Sequence, residues 1–103
     1  MPEATIVDNA VLHRFELQQN GETAFLLYSK TGDSIRLIHT EVPGALRGHG
    51  VGSKLVEGVL RQAQQQKLSV VPSCPFVAEY LRGHPDLASL VEAQHRWMIE
   101  PVK

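Results

Sequence analysis

The sequence is short of several features that would place it in particular classes of protein. Its 103 residues include one cysteine, which cannot form a disulfide within the chain and favours a reducing, cytoplasmic compartment. The formal net charge is −1, so no overall positive field would recruit nucleic acid. The apolar runs are far too short to span a bilayer, and nothing resembles a signal peptide. We therefore expect a cytoplasmic protein that binds neither nucleic acid nor membrane.

What remains is the composition of one small folded domain. Hydrophobic residues make up 43% of the chain and charged residues 20%, ordinary values for a globular protein. A chain of 103 residues can bury one modest core. We therefore predict a single domain over residues 1–103.

The first half of the chain alternates apolar and polar residues, which predicts a meander of antiparallel strands. The predicted strands cover residues 4–7, 11–19, 23–30 and 34–42. Asn20-Gly21 favours a hairpin between the second and third of them. Pro43 has no N–H to donate, so pairing of the last strand should end there.

The second half predicts a strand-helix-strand unit followed by a second helix. Apolar residues at three- and four-residue spacing predict a helix over residues 53–66, and a short β run covers 67–72. A right-handed crossover would place this strand parallel to residues 34–42. Pro75 suits the start of the second helix and Gly83 its end. The predicted fold is α+β, a mixed sheet that joins an antiparallel meander to a parallel strand-helix-strand unit.

Candidate site residues gather at one edge of this sheet, because ligands bind beyond the carboxyl ends of parallel strands. Those ends carry Glu41-Val42 and Pro72-Ser73-Cys74. In a regular strand, alternation would place Ile35, Leu37, His39 and Glu41 on one face. We therefore expect Cys74, His39 and Glu41 to converge at this edge.

A glycine-rich stretch from Arg47 to Gly52 lies between the predicted strand over residues 34–42 and the first helix. Backbone N–H groups of such a turn, together with a helix N-terminus, form a binding site for phosphate. The stretch is not a Walker A loop, because Ser53 precedes Lys54, and its glycine spacing is poor for a dinucleotide fingerprint. It does match Arg-x-x-Gly-x-Gly, formed by Arg47, Gly50 and Gly52.

This loop resembles the coenzyme A pyrophosphate loop of the GNAT acetyltransferase superfamily. Other segments extend the resemblance to the very short Yjdj-type branch, over nearly the whole chain to about Leu90. They are Leu37-Ile38-His39-Thr40-Glu41-Val42-Pro43, Val71-Pro72-Ser73-Cys74 and Tyr80-Leu81-x-x-His84-Pro85.

The resemblance implies an N-acetyltransferase that uses acetyl-CoA and an amine acceptor. The pyrophosphate would lie on the loop and the start of the helix, and the pantetheine arm would bind backbone near Val42. The implied coenzyme-binding residues are Val42, Arg47, Gly48, His49, Gly50, Val51, Gly52 and Ser53.

The resemblance also implies that the thioester lies near Cys74, which we predict to be catalytic with His39. Cys74 would carry the acetyl group or protonate the departing sulfur, whereas most lone cysteines are small buried apolar residues. His39 would take a proton, and Glu41 is the alternative base acting through water. Tyr80 is an alternative acid, although its spacing with Phe76 and Val77 favours packing in the core.

The chain departs from full-length GNAT enzymes in size, because it lacks the helices that usually shape the acceptor pocket. An amine on another protein would fit such an open site. An alternative is a module that binds CoA or acyl-CoA with little catalysis and acts through a partner. A scaffold that binds no nucleotide is a third possibility. The histidines and one cysteine have no ligand spacing, so we predict no metal.

Overall fold

The computed structural model describes residues 6–48 and 50–99. Within these residues, five strands form one sheet in chain order. They are β1 (Ile6–Asn9), β2 (Arg14–Gln19), β3 (Glu22–Thr31), β4 (Ser34–Glu41) and β5 (Ser69–Pro72). Neighbours from β1 to β4 pair antiparallel, whereas β5 pairs parallel to β4. The predicted α+β fold, with an antiparallel meander and a parallel strand-helix-strand unit, is confirmed.

The helices follow the predicted pattern with small differences at their ends. They are α1 (Val51–Gln65), α2 (Pro75–Arg82) and α3 (Pro85–Ala88), with 3₁₀ helices at Gly44–Leu46 and Ala93–Met98. Lys67, at φ 58°, helps to end α1, and the Leu68 amide donates to the Ala63 carbonyl, so β5 begins only at Ser69. No helix among the described residues has the length and apolar character needed to cross a membrane.

One hydrophobic cluster lies between the sheet and the helices. Leu17, Leu26 and Leu37 from the sheet pack in this cluster with the apolar sides of α1 and α2. Leu55 and Leu60 of α1 are fully buried there. Burial of each such side chain stabilises the fold by roughly 1.5–3 kcal/mol. Both helices therefore cover the same face of the sheet, which we call the inner face.

The outer face carries an ion pair beside an aromatic ring. Arg14 Nε donates to Glu16 Oε2 at 2.6 Å, and the guanidinium lies 4.5 Å from the centre of the Phe25 ring. Asn9 also donates to Glu16 Oε2, at 3.2 Å. The hydrogen bond from Arg14 is the main cause that holds the pKa of Glu16 below its ordinary value. This pair lies on the same face as the end of β4.

A β-bulge changes the direction of side chains near the end of β4. Tyr28 pairs with Leu37 and Leu27 pairs with His39, so Ile38 is an extra residue on β4. The prediction that Ile35, Leu37, His39 and Glu41 share one face is therefore wrong. Ile35 and Leu37 are buried on the inner face, whereas His39 and Glu41 are exposed on the outer one. Thr40, opposite buried Leu26, takes the inward direction instead.

Candidate functional site

A cleft of about 560 Å³ lies at the carboxyl end of β4, between the glycine loop and the start of α2. Seven predicted coenzyme-binding residues line it: Val42, Arg47, Gly48, Gly50, Val51, Gly52 and Ser53. The eighth, His49, lies outside the described residues. The cleft also includes His39, Thr40, Glu41, Leu46 and Phe76. The structure thus brings the predicted loop and the end of β4 together, and the binding role of these residues stays a prediction.

The backbone of the glycine loop presents the start of α1 to this cleft. Gly50 is the N-cap of α1, at φ 71°, and no side chain caps the helix there. The amide of Lys54 donates to the Gly50 carbonyl at 3.0 Å. Helix geometry leaves the amides of residues 51–53 without an acceptor one turn earlier. Because those residues line the cleft, their N–H groups and the positive end of the helix dipole favour an anion in it.

Gly52 permits a close contact between α1, α2 and the end of β4. A Cβ atom at this position would lie 2.9 Å from Phe76 Cζ and 3.3 Å from Val42 Cγ2. Phe76 is 42% exposed although it is a large apolar residue. Phe76 and Val42 therefore form an apolar wall directly beside the amides of the helix start.

The side chain of Arg47 contacts the backbone of Val42, which we expect to bind the pantetheine arm. Its Nε donates to the Val42 carbonyl at 3.2 Å. The side chain is exposed, so the contact can exchange with water or with a ligand. The Val42 carbonyl has two lone pairs, so it can accept a second hydrogen bond from a ligand while Arg47 stays in place.

The cleft lies where β4 and β5 separate. Their parallel pairing runs from Ser34–Ser69 to Leu37–Pro72, whereas β4 continues to Glu41. Beyond the last pair, the Cys74 amide donates to the Leu37 carbonyl at 2.9 Å. Residues 38–41 therefore extend past the end of β5, where a ligand can lie alongside backbone of β4.

His39 and Glu41 interact at the cleft on the outer face of the sheet. His39 Nε2 lies 2.9 Å from Glu41 Oε1, and the two side chains are 54% and 47% exposed. This arrangement can accept a proton from a group that enters from solvent and pass it along the pair. The predicted proximity of these two residues is present, and their catalytic role stays a prediction.

Cys74 lies behind the wall of the cleft. It is the N-cap of α2, is 3% exposed, and packs with the inner-face core. Its Sγ lies 3.4 Å from Thr40 Oγ1. Thr40 lines the cleft, so it stands between the cavity and the thiol. The bulge places His39 and Cys74 on opposite faces, so the expected convergence of these two side chains is not present.

Tyr80 packs away from the cleft. Its ring stacks on His84 with centroids 3.9 Å apart, and it adjoins the hydrophobic core. The Tyr80 carbonyl accepts a hydrogen bond of 2.7 Å from His84 Nδ1. Burial, and then the carboxylate of Glu57, raises the pKa of Tyr80 above its ordinary value. These contacts agree with the packing role that the helical spacing favoured.

Thr40 and Phe76 are cleft residues that the sequence did not single out. Thr40 turns inward because of the bulge at Ile38, which the alternation of apolar residues in β4 does not reveal. Phe76 follows Pro75 at the start of α2, and its helical spacing favours packing in the core. The described part of the chain contains no cluster of three or more His, Cys, Asp or Glu residues suited to a metal ion.

Two kinds of comparison relate the sequence of this chain to known proteins. A family model described as GCN5-related N-acetyl-transferase matches residues 14–90, which contain the cleft residues and Cys74. Protein NATD1 of Mus musculus is 33% identical over 75 residues, which cover 70% of this chain and 68% of the relative. Protein NATD1 of Xenopus tropicalis is 31% identical over 75 residues, with 70% and 69% covered.

Proposed function

Because the chain belongs to the GCN5-related N-acetyltransferase family, we propose that it transfers an acetyl group from acetyl-CoA to an amine. The observation that carries this proposal is the uncapped start of α1, which opens into a cleft at the end of β4. Helix amides at a glycine-rich turn are a recurrent binding site for phosphate groups. Members of this family generally use acetyl-CoA as the acetyl donor.

The donor would bind along two parts of the cleft. The amides of residues 51–53 and the charge of Arg47 would hold the pyrophosphate. The backbone of β4 beyond its last pair with β5 would receive the pantetheine arm near Val42. The apolar wall of Val42 and Phe76 supports this assignment, because it offers a dry surface to the methyl groups of the arm.

The transfer needs a group that removes a proton from the amine. The amine nitrogen attacks the thioester carbonyl, a C–N bond forms, and the C–S bond breaks with its electrons on sulfur. The ammonium proton would leave through the pair of His39 and Glu41, which is exposed to solvent at the cleft. Their hydrogen bond at 2.9 Å holds the imidazole in place for this step.

The acceptor would approach from the outer face of the sheet. Both His39 and Glu41 are on this face, and the helices α1 and α2 cover the other one. Such an open approach suits an amine on a large molecule, a lysine or the N-terminus of another protein. The single cysteine supports the cytoplasm as the compartment.

Calorimetric titration with CoA, followed by an acceptor screen, tests the proposal. We expect CoA to bind and at least one lysine peptide or N-terminal peptide to become acetylated in the presence of acetyl-CoA. Failure of CoA to bind would contradict the proposal.

A second candidate function is a CoA-binding module that acts through a partner. The absence of any described helix on the outer face beside the cleft favours it, because little surface there would recognise an acceptor. Tight CoA binding with no transfer to any amine in the screen would support this candidate and contradict the enzyme.

A further inference from the structure

Thr40 separates the cleft from the buried thiol of Cys74. Thr40 lines the cavity, Cys74 is not among the residues that line it, and Thr40 Oγ1 lies 3.4 Å from Cys74 Sγ. Cys74 itself is 3% exposed, and its amide is held by the Leu37 carbonyl at 2.9 Å. A reactant in the cleft would therefore meet the threonine hydroxyl before it met the thiol.

The direction of Thr40 follows from the bulge in β4. The extra residue Ile38 reverses the alternation, so Thr40 lies opposite buried Leu26 on the inner face. Thr40 also lies beyond the last parallel pair, Leu37–Pro72, where β4 and β5 have separated. This is the position at which a pantetheine arm on β4 would deliver its thioester.

We propose that Thr40 is a catalytic residue of the acetyl transfer and that Cys74 is a positioning residue that acts through it; this inference rests on the proposed function. When the Cys74 S–H donates to Thr40 Oγ1, the hydroxyl hydrogen of Thr40 points into the cleft. The Thr40 hydroxyl then donates a hydrogen bond to the thioester sulfur as the C–S bond breaks and negative charge develops on that sulfur.

The acetyl transfer requires no covalent intermediate on the enzyme. The amine forms the C–N bond, the electrons of the C–S bond go to sulfur, and Thr40 stabilises that charge without giving up its proton. The amine proton leaves through His39 and Glu41, and the released CoA thiolate takes a proton from solvent. Direct attack of Cys74 on the carbonyl would require its thiol to pass the Thr40 side chain that covers it.

Kinetics of four variants test this assignment. Thr40→Val keeps the shape of the side chain and removes the hydroxyl, so we expect kcat to fall by about 10- to 100-fold. The KM for acetyl-CoA and the dissociation constant of CoA should change little. Thr40→Ser retains the hydroxyl and should restore most of kcat, a rescue that a purely structural role would not produce.

Cys74→Ala should lower kcat less than Thr40→Val, and adding it to Thr40→Val should cause no further loss, because the thiol acts through the hydroxyl. A wild-type kcat in Thr40→Val would overturn the proposal. So would independent losses that multiply in the double variant, or an acetyl group on Cys74 in the intact mass after incubation with acetyl-CoA.

Labelling of the thiol gives a second test that needs no acceptor. Since the chain has one cysteine, a small thiol reagent reports on Cys74 alone. We expect slow labelling in the wild type and in Thr40→Val, and faster labelling in Thr40→Ala, which uncovers the thiol. Equal labelling rates in the wild type and in both Thr40 variants would show that the Thr40 side chain does not shield the thiol.

The proposed function and this inference fail in different experiments. Failure of the wild-type protein to bind CoA would contradict the proposed function, whereas normal turnover in Thr40→Val would contradict only this inference.

Discussion

His39 and Glu41 form a hydrogen-bonded pair that contributes little to the stability of the fold. Both side chains are about half exposed, at 54% and 47%, and interactions of this kind are worth roughly 0–1 kcal/mol. The pair lines the cleft at the end of β4. The chemical role proposed for the pair can therefore be separated by experiment from its small contribution to folding.

Glu41→Gln should lower kcat/KM for the amine acceptor and leave the free energy of unfolding within about 0.5 kcal/mol of the wild type. The amide cannot take a proton from His39, but it keeps the shape and exposure of the carboxylate. Glu79→Gln, at an exposed position of α2 that does not line the cleft, is the matched control. Equal kcat/KM values for the two variants would remove Glu41 from the mechanism.

Tyr28 provides a pH-dependent test of packing on the inner face. Burial, and then the hydrogen bond of 2.6 Å that its hydroxyl donates to Asp8, raises its pKa from 10.0 to about 12. Below pH 10 the folded and unfolded chains both keep this proton. Between these pKa values only the unfolded chain loses it, so the free energy of unfolding falls as the pH rises.

Tyr28→Phe should be less stable near neutral pH, because the hydrogen bond to Asp8 is lost. It should also lose less stability than the wild type as the pH rises from about 10 to about 12. Urea denaturation at a series of pH values measures both effects. The other tyrosine, Tyr80, is present in both proteins, so its titration cancels. If the free energies of unfolding of the two proteins changed in parallel with pH, Tyr28 would not be the group that causes the loss of stability.

At the scale of elements, the glycine loop determines how α1 meets the cleft. Gly50 adopts φ 71° at the N-cap, a conformation that costs a residue with a Cβ roughly 1–2 kcal/mol. Gly44, in the preceding 3₁₀ helix, has no positive φ and open space around it. Gly50 therefore requires glycine for its backbone conformation, whereas Gly44 does not and serves as the matched control.

Gly50→Ala should lower the free energy of unfolding by about 1 kcal/mol and weaken CoA binding, because the strain shifts the first amides of α1. Gly44→Ala should change neither quantity appreciably. Thermal unfolding and calorimetry with CoA measure the two effects. A Gly50→Ala protein with wild-type affinity for CoA would show that the loop geometry does not carry the binding.

The contact between α1 and α2 offers a second test at this scale. A Cβ at Gly52 would lie 2.9 Å from Phe76 Cζ, which is closer than real Cβ contacts. Gly52→Ala should therefore destabilise the protein, and Phe76→Leu should be less harmful in the Gly52→Ala background than in the wild type. A double-mutant cycle of unfolding free energies measures this coupling. Additive effects would mean that the Phe76 ring moves out of this contact at no cost.

The bulge at Ile38 is the element that the sequence could not reveal. Apolar side chains occur at Ile35, Leu37 and Ile38, so the pattern in β4 is compatible with more than one assignment of faces. The pairing of Leu27 with His39 and Tyr28 with Leu37 decides between them through contacts with a neighbouring strand. The order of strands and the glycine loop, in contrast, follow from local signals that need no such partner.

At the scale of the whole molecule, the sheet divides the protein into two sides with different roles. The inner face is covered by α1 and α2, and it contains the buried thiol of Cys74. The outer face carries His39 and Glu41 beside the cleft. The proposed reaction uses both sides at the one place where β4 extends past β5. The donor would enter along that gap and the acceptor would meet it from the outer face.

The central claim is that the first amides of α1 bind the pyrophosphate of CoA. Amide chemical shifts recorded while CoA is added to the isotope-labelled protein test it most directly. We predict that the largest changes occur at Gly50, Val51, Gly52 and Ser53, and that pantetheine, which lacks the pyrophosphate, does not reproduce them. Unchanged shifts at these four amides, with CoA bound elsewhere or not at all, would contradict the account.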